Sequence, residues 1–242
     1  MSVTSLPPLV EAMLLATLAG LSIPLGAALA RYTGLFPEWV EQEYRHTIIA
    51  FGGGALLGAV ALVLVPEGMK HLSIFWVAVC FAGGGITFAI IDRLLMRMGG
   101  SASLLMAMLL DFVPEAAALG AMLTTTESAA LLLAILIALQ NLPEGFGAFR
   151  ELRAAGEYTT PVLLVIFSAL VLLGPAAAWA GVTYLSTSPV ILGALMLFSA
   201  GGILYLTFGD IAPEAKMSRA WAPPLGAVGG FLLGMIGHMM IA

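Results

Sequence analysis

The stretch LQNLPEGFG, Leu139–Gly147, follows a run made only of Ala, Leu and Ile from Ala129 to Ala138. A proline removes a helix hydrogen bond, and a glutamate resists leaving water. Beside Gln140 and Asn141, they stand where a membrane-spanning helix needs neither. The reason for their presence decides how the whole chain is read.

The setting is a bilayer. Apolar residues make up 61% of the 242 and charged residues 10%, and the mean hydropathy is +1.06. A soluble domain carries about 25% charged residues. The sequence predicts an all-α integral membrane protein, a single transmembrane domain over 1–242, with eight spans near 9–31, 46–70, 73–98, 102–124, 128–150, 160–184, 189–214 and 222–242. Each is close to the ~20 residues a helix needs to cross. The start, MSVTSLPPLVEAMLL, lacks a basic leader region, so the first apolar run is expected to be a retained helix. The longest connection, Tyr32–Arg45, is polar and bears Trp39.

Nine Lys and Arg residues set the orientation. With the N-terminus outside, Arg31, Arg45, Arg93, Arg97, Arg150, Arg153, Lys216 and Arg219 all fall on the cytoplasmic side, and only Lys70 falls outside. The expectation is a multi-pass protein of the cell (inner) membrane with both termini periplasmic. No basic run points to nucleic acid, and the single cysteine, Cys80, excludes an intrachain disulfide.

Polar residues inside the spans then become informative. Asp111 and Glu115 lie in the fourth span, and Gln140, Asn141 and Glu144 in the fifth. An acid near the bilayer centre costs at least about 2.5–3.5 kcal/mol. Asp111/Glu115 and Gln140/Glu144 are i,i+4 pairs, so each pair shares a helix face. No Lys or Arg lies at that depth, so a cation from outside the chain is the natural partner. Pro114 and Pro143 leave the carbonyls of Leu110 and Leu139 without their usual donors, which is tolerated where a helix lines a cavity. The competing reading is a pair of kinks, each with a protonated glutamate bonded to backbone. Two aligned motifs, each with a polar residue four positions earlier, favour the ion site.

The motif recurs. LLDFVPEAAALG, Leu109–Gly120, and ALQNLPEGFGAF, Ala138–Phe149, align at an offset of 29. FGGGALLGAVALVLVPEG, Phe51–Gly68, and FSAGGILYLTFGDIAPEA, Phe198–Ala215, align at an offset of 147. In both pairs the two members run in opposite directions across the bilayer, a pattern of inverted repeats with proline-interrupted helices that points to transporters.

These residues resemble the ZIP (Zrt/Irt-like) family of divalent-metal transporters. QNLPEG matches the fifth-helix motif of that family, and LVPEG and DIAPEA match the ends of its second and seventh helices. The resemblance covers almost the whole chain. It implies a homodimer and alternating access by elevator-like sliding, with a four-helix transport unit made of the second, fourth, fifth and seventh helices. It implies a transported divalent ion, zinc or a related iron, manganese or cadmium, as the only bound group, held by Asp111, Glu115, Gln140 and Glu144. The chain departs from the family at Asp111-Phe112, where the family has His-Asn, at Ala116, where it has Gly, and at Gly174-Pro175, where it commonly has Glu-Pro. These changes point to one ion held by oxygen, with Phe112 crowding out a second.

Asn141, Asp210, Glu214 and Glu67 are secondary candidates. Asp210 and Glu214 read either as an exit relay or as interfacial acids near Lys216, and Glu67 as an ion-pair partner of Lys70 or an entry site. His46, His71 and His238 lie at span ends, where interfacial roles outnumber ligand roles. Met96, Met98 and Met106 read as packing before metal contact. Gly54/Gly58 and Gly226/Gly230/Gly234 form small-residue faces for close helix packing. A channel-like or proton-coupled carrier of another small cation is the alternative. An intramembrane hydrolase is disfavoured, since the buried set has no Ser-Lys or Ser-His pair and no His-Glu-x-x-His run.

Overall fold

The computed structural model describes residues 6–31, 38–98, 101–215 and 221–241. These residues form eight helical rods and, among the described residues, no strand. The first is Pro8–Ala30. The second is Glu38–Ala59 continued by Val60–Leu64 and Val65–Met69. The third to fifth are Ile74–Met98, Ser101–Leu123 and Glu127–Ala155. The sixth combines Thr160–Leu170, Leu173–Ala180 and Gly181–Leu185. The seventh combines Pro189–Leu206, Thr207–Ile211 and Ala212–Glu214, and the eighth is Ala222–Ile241.

Seven rods are long and apolar enough to cross a membrane, which makes the chain a multi-pass membrane protein. The fourth, Ser101–Leu123, has the length but is not among the seven, so the described residues bear out seven of the eight expected spans. It carries Asp111 and Glu115, and the side chains of residues 101–104 and 107 lie outside the described residues.

Three boundaries differ from the sequence expectation. The polar stretch from Glu38 to Arg45 is helical and lengthens the second rod, where a connection was expected. Acidic residues in a first turn favour the helix dipole, so polarity alone did not mark a loop. The fifth helix runs on to Ala155 and stops at Gly156, whose φ of 74° is the left-handed conformation that glycine takes without strain. The sixth rod breaks at Val171–Leu172, four and three residues before Pro175, because the proline ring collides with the carbonyl of Val171. Lys216 and Arg219, used for orientation, lie outside the described residues.

The repeat with offset 147 has a structural counterpart. Val60–Leu64 and Thr207–Ile211 are both π-helical turns in the same register, and Pro66 and Pro213 follow them equivalently. In each, the residue before the proline closes a wide turn, Val65 N–H on the Val60 carbonyl and Ala212 N–H on the Thr207 carbonyl. The widened turn accommodates a proline without ending the rod. Pro114 and Pro143, by contrast, sit inside continuous α-helix.

Packing relies on backbone contacts at glycine. The largest seams join the second rod to the eighth, the first to the fifth, and the third to the seventh. A Cβ on Gly54 or Gly230 would overlap the Ala227 or Phe51 carbonyl across the second–eighth seam. A Cβ on Gly26 or Gly145 would overlap the Leu142 or Ile23 carbonyl across the first–fifth seam. The glycine of PEG is therefore where the first helix crosses the site-bearing segment. Such close approach gives van der Waals contact that lipid tails cannot match.

Gly145→Ala should destabilise the protein by about 1–3 kcal/mol, the usual effect of overpacking a tight seam. Gly147→Ala, two residues on with nothing within 4 Å of its added methyl, should be neutral or stabilise by about 0.5–1 kcal/mol. Thermal unfolding of the two variants in detergent measures the contrast.

Candidate functional site

The fourth and fifth helices pack side by side in the middle of the bundle and bring the paired acids together. Glu115, Gln140 and Asn141 are fully buried and Asp111 is 4% exposed. Gln140 Nε2 donates to Glu115 Oε2 at 2.5 Å. Asp111 Oδ1 accepts the Phe112 N–H at 2.9 Å, and the Asp111 and Glu144 carboxyls lie beside each other. Two ionised carboxylates can only accept and repel each other, so a proton or a cation between the two would relieve the contact. The charge of Asp111 acts on both Glu115 and Glu144, and among the described residues no Lys, Arg or His acts on any of the three.

The expected ligand set is thus gathered, but as two pairs. Among the described residues no three His, Cys, Asp or Glu side chains converge as a ready ligand shell. Glu115 is turned to Gln140, whereas Asp111 faces Glu144. Several buried polar atoms here have no hydrogen-bond partner: Glu115 Oε1, Gln140 Oε1, Glu144 Oε1 and both side-chain polar atoms of Asn141. Buried polar atoms are normally paired, and four of these five are oxygens that can accept a proton or a cation.

Asp111 and Glu144 also line a cavity of about 710 Å³ between the second, third, fourth, fifth and seventh rods. Along the fifth helix its wall runs from Pro143 to Ala155, roughly 18 Å at 1.5 Å per residue. It opens toward the end of the bundle that carries Arg97 and Arg153. Its other acids are Asp92, Glu151 and Asp210, and among the described residues no basic one lines it. Beyond Glu115 and Gln140 the opposite direction is closed by side chains no more than 2% exposed, among them Leu64, Leu119, Leu133, Leu136 and Ile137.

The other candidates fall in different places. Asp210 lines the cavity, and the Glu214 side chain lies outside the described residues. Glu67 is ion-paired with Lys70 at 2.6 Å, away from the cavity, with the Thr126 hydroxyl at 3.5 Å. Of the methionines, Met96 and Met108 line the cavity and Met106 does not. Phe112 corrects an expectation. It does not reach the cavity, and its ring fills the seam between Gly20 and Gly174, close enough that a Cβ on Gly174 would lie 2.8 Å from Phe112 Cζ and 2.9 Å from the Ala16 oxygen. Residues 111 and 112 are about 100° apart around the helix, so the acid and the ring necessarily face different neighbours. Asp92 and Glu151 escaped the sequence reading. The signal for Asp92 was an acid within a span, hidden by its neighbour Arg93; the Asp92 carboxylate accepts from the Tyr205 hydroxyl at 2.9 Å.

If this cavity is the open route to the site, cysteines placed at Gly147 and Gly209, both lining it and both with room for a side chain, should react with a membrane-impermeant maleimide from the arginine-bearing side. A cysteine at fully buried Leu136 should react from neither side. The measurement is labelling in a Cys80→Ala background, and labelling of position 136 alone would place the opening at the other end.

No family model matches the chain, and no curated protein matches it.

Proposed function

We propose that the protein carries a divalent metal ion across the membrane, through the acids between its fourth and fifth helices. The observation that carries the reading is the Asp111–Glu144 pair at the inner end of a cavity lined, among the described residues, by five acids and no base. An acidic funnel concentrates cations, and its low-dielectric walls strengthen the effect. Unpartnered oxygens on Glu115, Gln140 and Glu144 add coordinating capacity at its floor.

In this reading the ion binds first between Asp111 and Glu144, which need a cation or proton between them. Rotation of Glu115 away from Gln140 then completes the shell, with the Gln140 oxygen as a neutral ligand. The resemblance to ZIP transporters supports the same residues and suggests import by alternating access, in a homodimer of the inner membrane with both termini outside. The cavity, open at one end and sealed at the other, is what one state of such a cycle requires. The arginines at that end of the bundle favour the cytoplasm as that side. A proton-coupled or channel-like carrier of another small cation would use the same acids. It is separated from the first reading by whether divalent metals compete for uptake.

Glu144→Ala should abolish uptake of Zn²⁺, Mn²⁺ and Fe²⁺ into proteoliposomes while the protein still folds. Glu115→Ala should behave alike, being the repeat-related position. Wild-type rates in either variant would remove that residue from the pathway.

The ligands offer oxygen alone, whereas zinc is commonly held by His nitrogen or Cys sulfur. Discrimination between Zn²⁺ and Mn²⁺ should therefore be weak, and Asp111→His should raise it in favour of zinc. Competition of each ion against the other's uptake measures it, and an unchanged ratio would place position 111 outside the shell.

A further inference from the structure

We propose that a second cavity, at the arginine-bearing end of the bundle, binds a phosphate-bearing anion: the headgroup of an anionic phospholipid or free phosphate. The cavity measures about 260 Å³ and is lined by Ala30, Arg31, Phe149, Arg150, Arg153 and Thr160. It lies where three helices meet, at the end of the first, the last turns of the fifth and the start of the sixth. Three of its six described lining residues are arginines, and among the described residues none is an acid.

Local structure orients the positive charge. Arg153 Nη1 donates to the Tyr158 carbonyl at 3.1 Å, which ties it to the connection that leads into the sixth rod. The Arg150 guanidinium lies 6.0 Å from the centroid of the Phe146 ring. The sixth rod starts at Thr160, and Thr159 before it makes no side-chain cap. Pro161 has no N–H, so the Thr160 and Val162 N–H groups and the positive end of the dipole add donors to the arginines. The planar guanidinium fork matches phosphate oxygens in a bidentate manner. Spans end here, at the level where headgroups lie, and basic pockets between membrane helices on such a face suit anionic headgroups. The large acidic cavity is unsuited to such a ligand, so this site is independent of the cation route. An anion held here would join the end of the site-bearing fifth helix to the first and sixth.

The test is ligand-dependent thermal stability of the purified full chain in neutral detergent. The probes are dihexanoyl phosphatidylglycerol and inorganic phosphate. A saturable rise in unfolding temperature with the lipid but not with phosphate assigns the headgroup, and an equal rise with phosphate assigns the free anion. In either case Arg31→Gln/Arg153→Gln should weaken binding at least about tenfold. Arg93→Gln/Arg97→Gln, equal in charge but outside the cavity, should leave it unchanged. If the first double variant fails to fold, the single variants replace it and should each shift affinity in the same direction. No saturable effect of either probe, or wild-type affinity without Arg31 and Arg153, would overturn the proposal.

Discussion

Three carboxyl groups enclosed by apolar helices, with no base beside them among the described residues, are the constraint on which the rest of this structure depends. Asp111, Glu115 and Glu144 would each oppose insertion if left alone. The bundle manages them by pairing. Glu115 is met by the Gln140 amide and Asp111 by Glu144. It also places the second pair against a cavity with acids in a largely apolar wall, where water or an ion can reach it. Burial without full satisfaction is unusual for a polar group, and here it coincides with the site proposed for the ion.

Holding these helices close enough to pair needs seams almost free of side chains. Gly145 against Ile23 and Gly26 against Leu142 bring the first helix onto the PEG segment backbone to backbone. Gly120 against Ala178 and Gly181 against Ala117 do the same between the fourth and sixth rods. The acid-bearing helices are thus fixed on their outer faces by glycine contacts, while their inner faces keep the polar groups. Phe112 belongs to the first arrangement and Asp111 to the second, although they are neighbours in the chain.

Proline is handled in two ways. In the second and seventh rods a π-turn precedes Pro66 and Pro213 and absorbs the missing hydrogen bond. Around Pro114 and Pro143 the α-helix continues, so the carbonyls of Leu110 and Leu139 lose their intrahelical partner beside the acids. The tighter arrangement stands beside the buried acids; of the two wider turns, the one in the seventh rod lines the cavity and the one in the second rod lies toward its closed end.

The membrane class, the helix-rich fold and the residues of the central site were readable from the chain alone. Each rests on local rules: a hydropathy run of bilayer length, a proline's missing N–H, and the i,i+4 spacing that puts two side chains on one face. The offset-147 repeat was readable for the same reason, and its π-turns stand at the same distance before the aligned prolines although the turn residues themselves differ. Tertiary structure decided what those rules leave open. Whether four ligand candidates form one shell or two pairs depends on rotamers set by neighbouring helices. Asp92 and Glu151 join the site only because the third helix and the end of the fifth face the same cavity. Phe112 leaves it because the first and sixth rods offer a glycine-lined seam for the ring. Such outcomes follow from which helices touch, and contact between residues far apart in the chain is a property of the packed bundle that no local stretch contains.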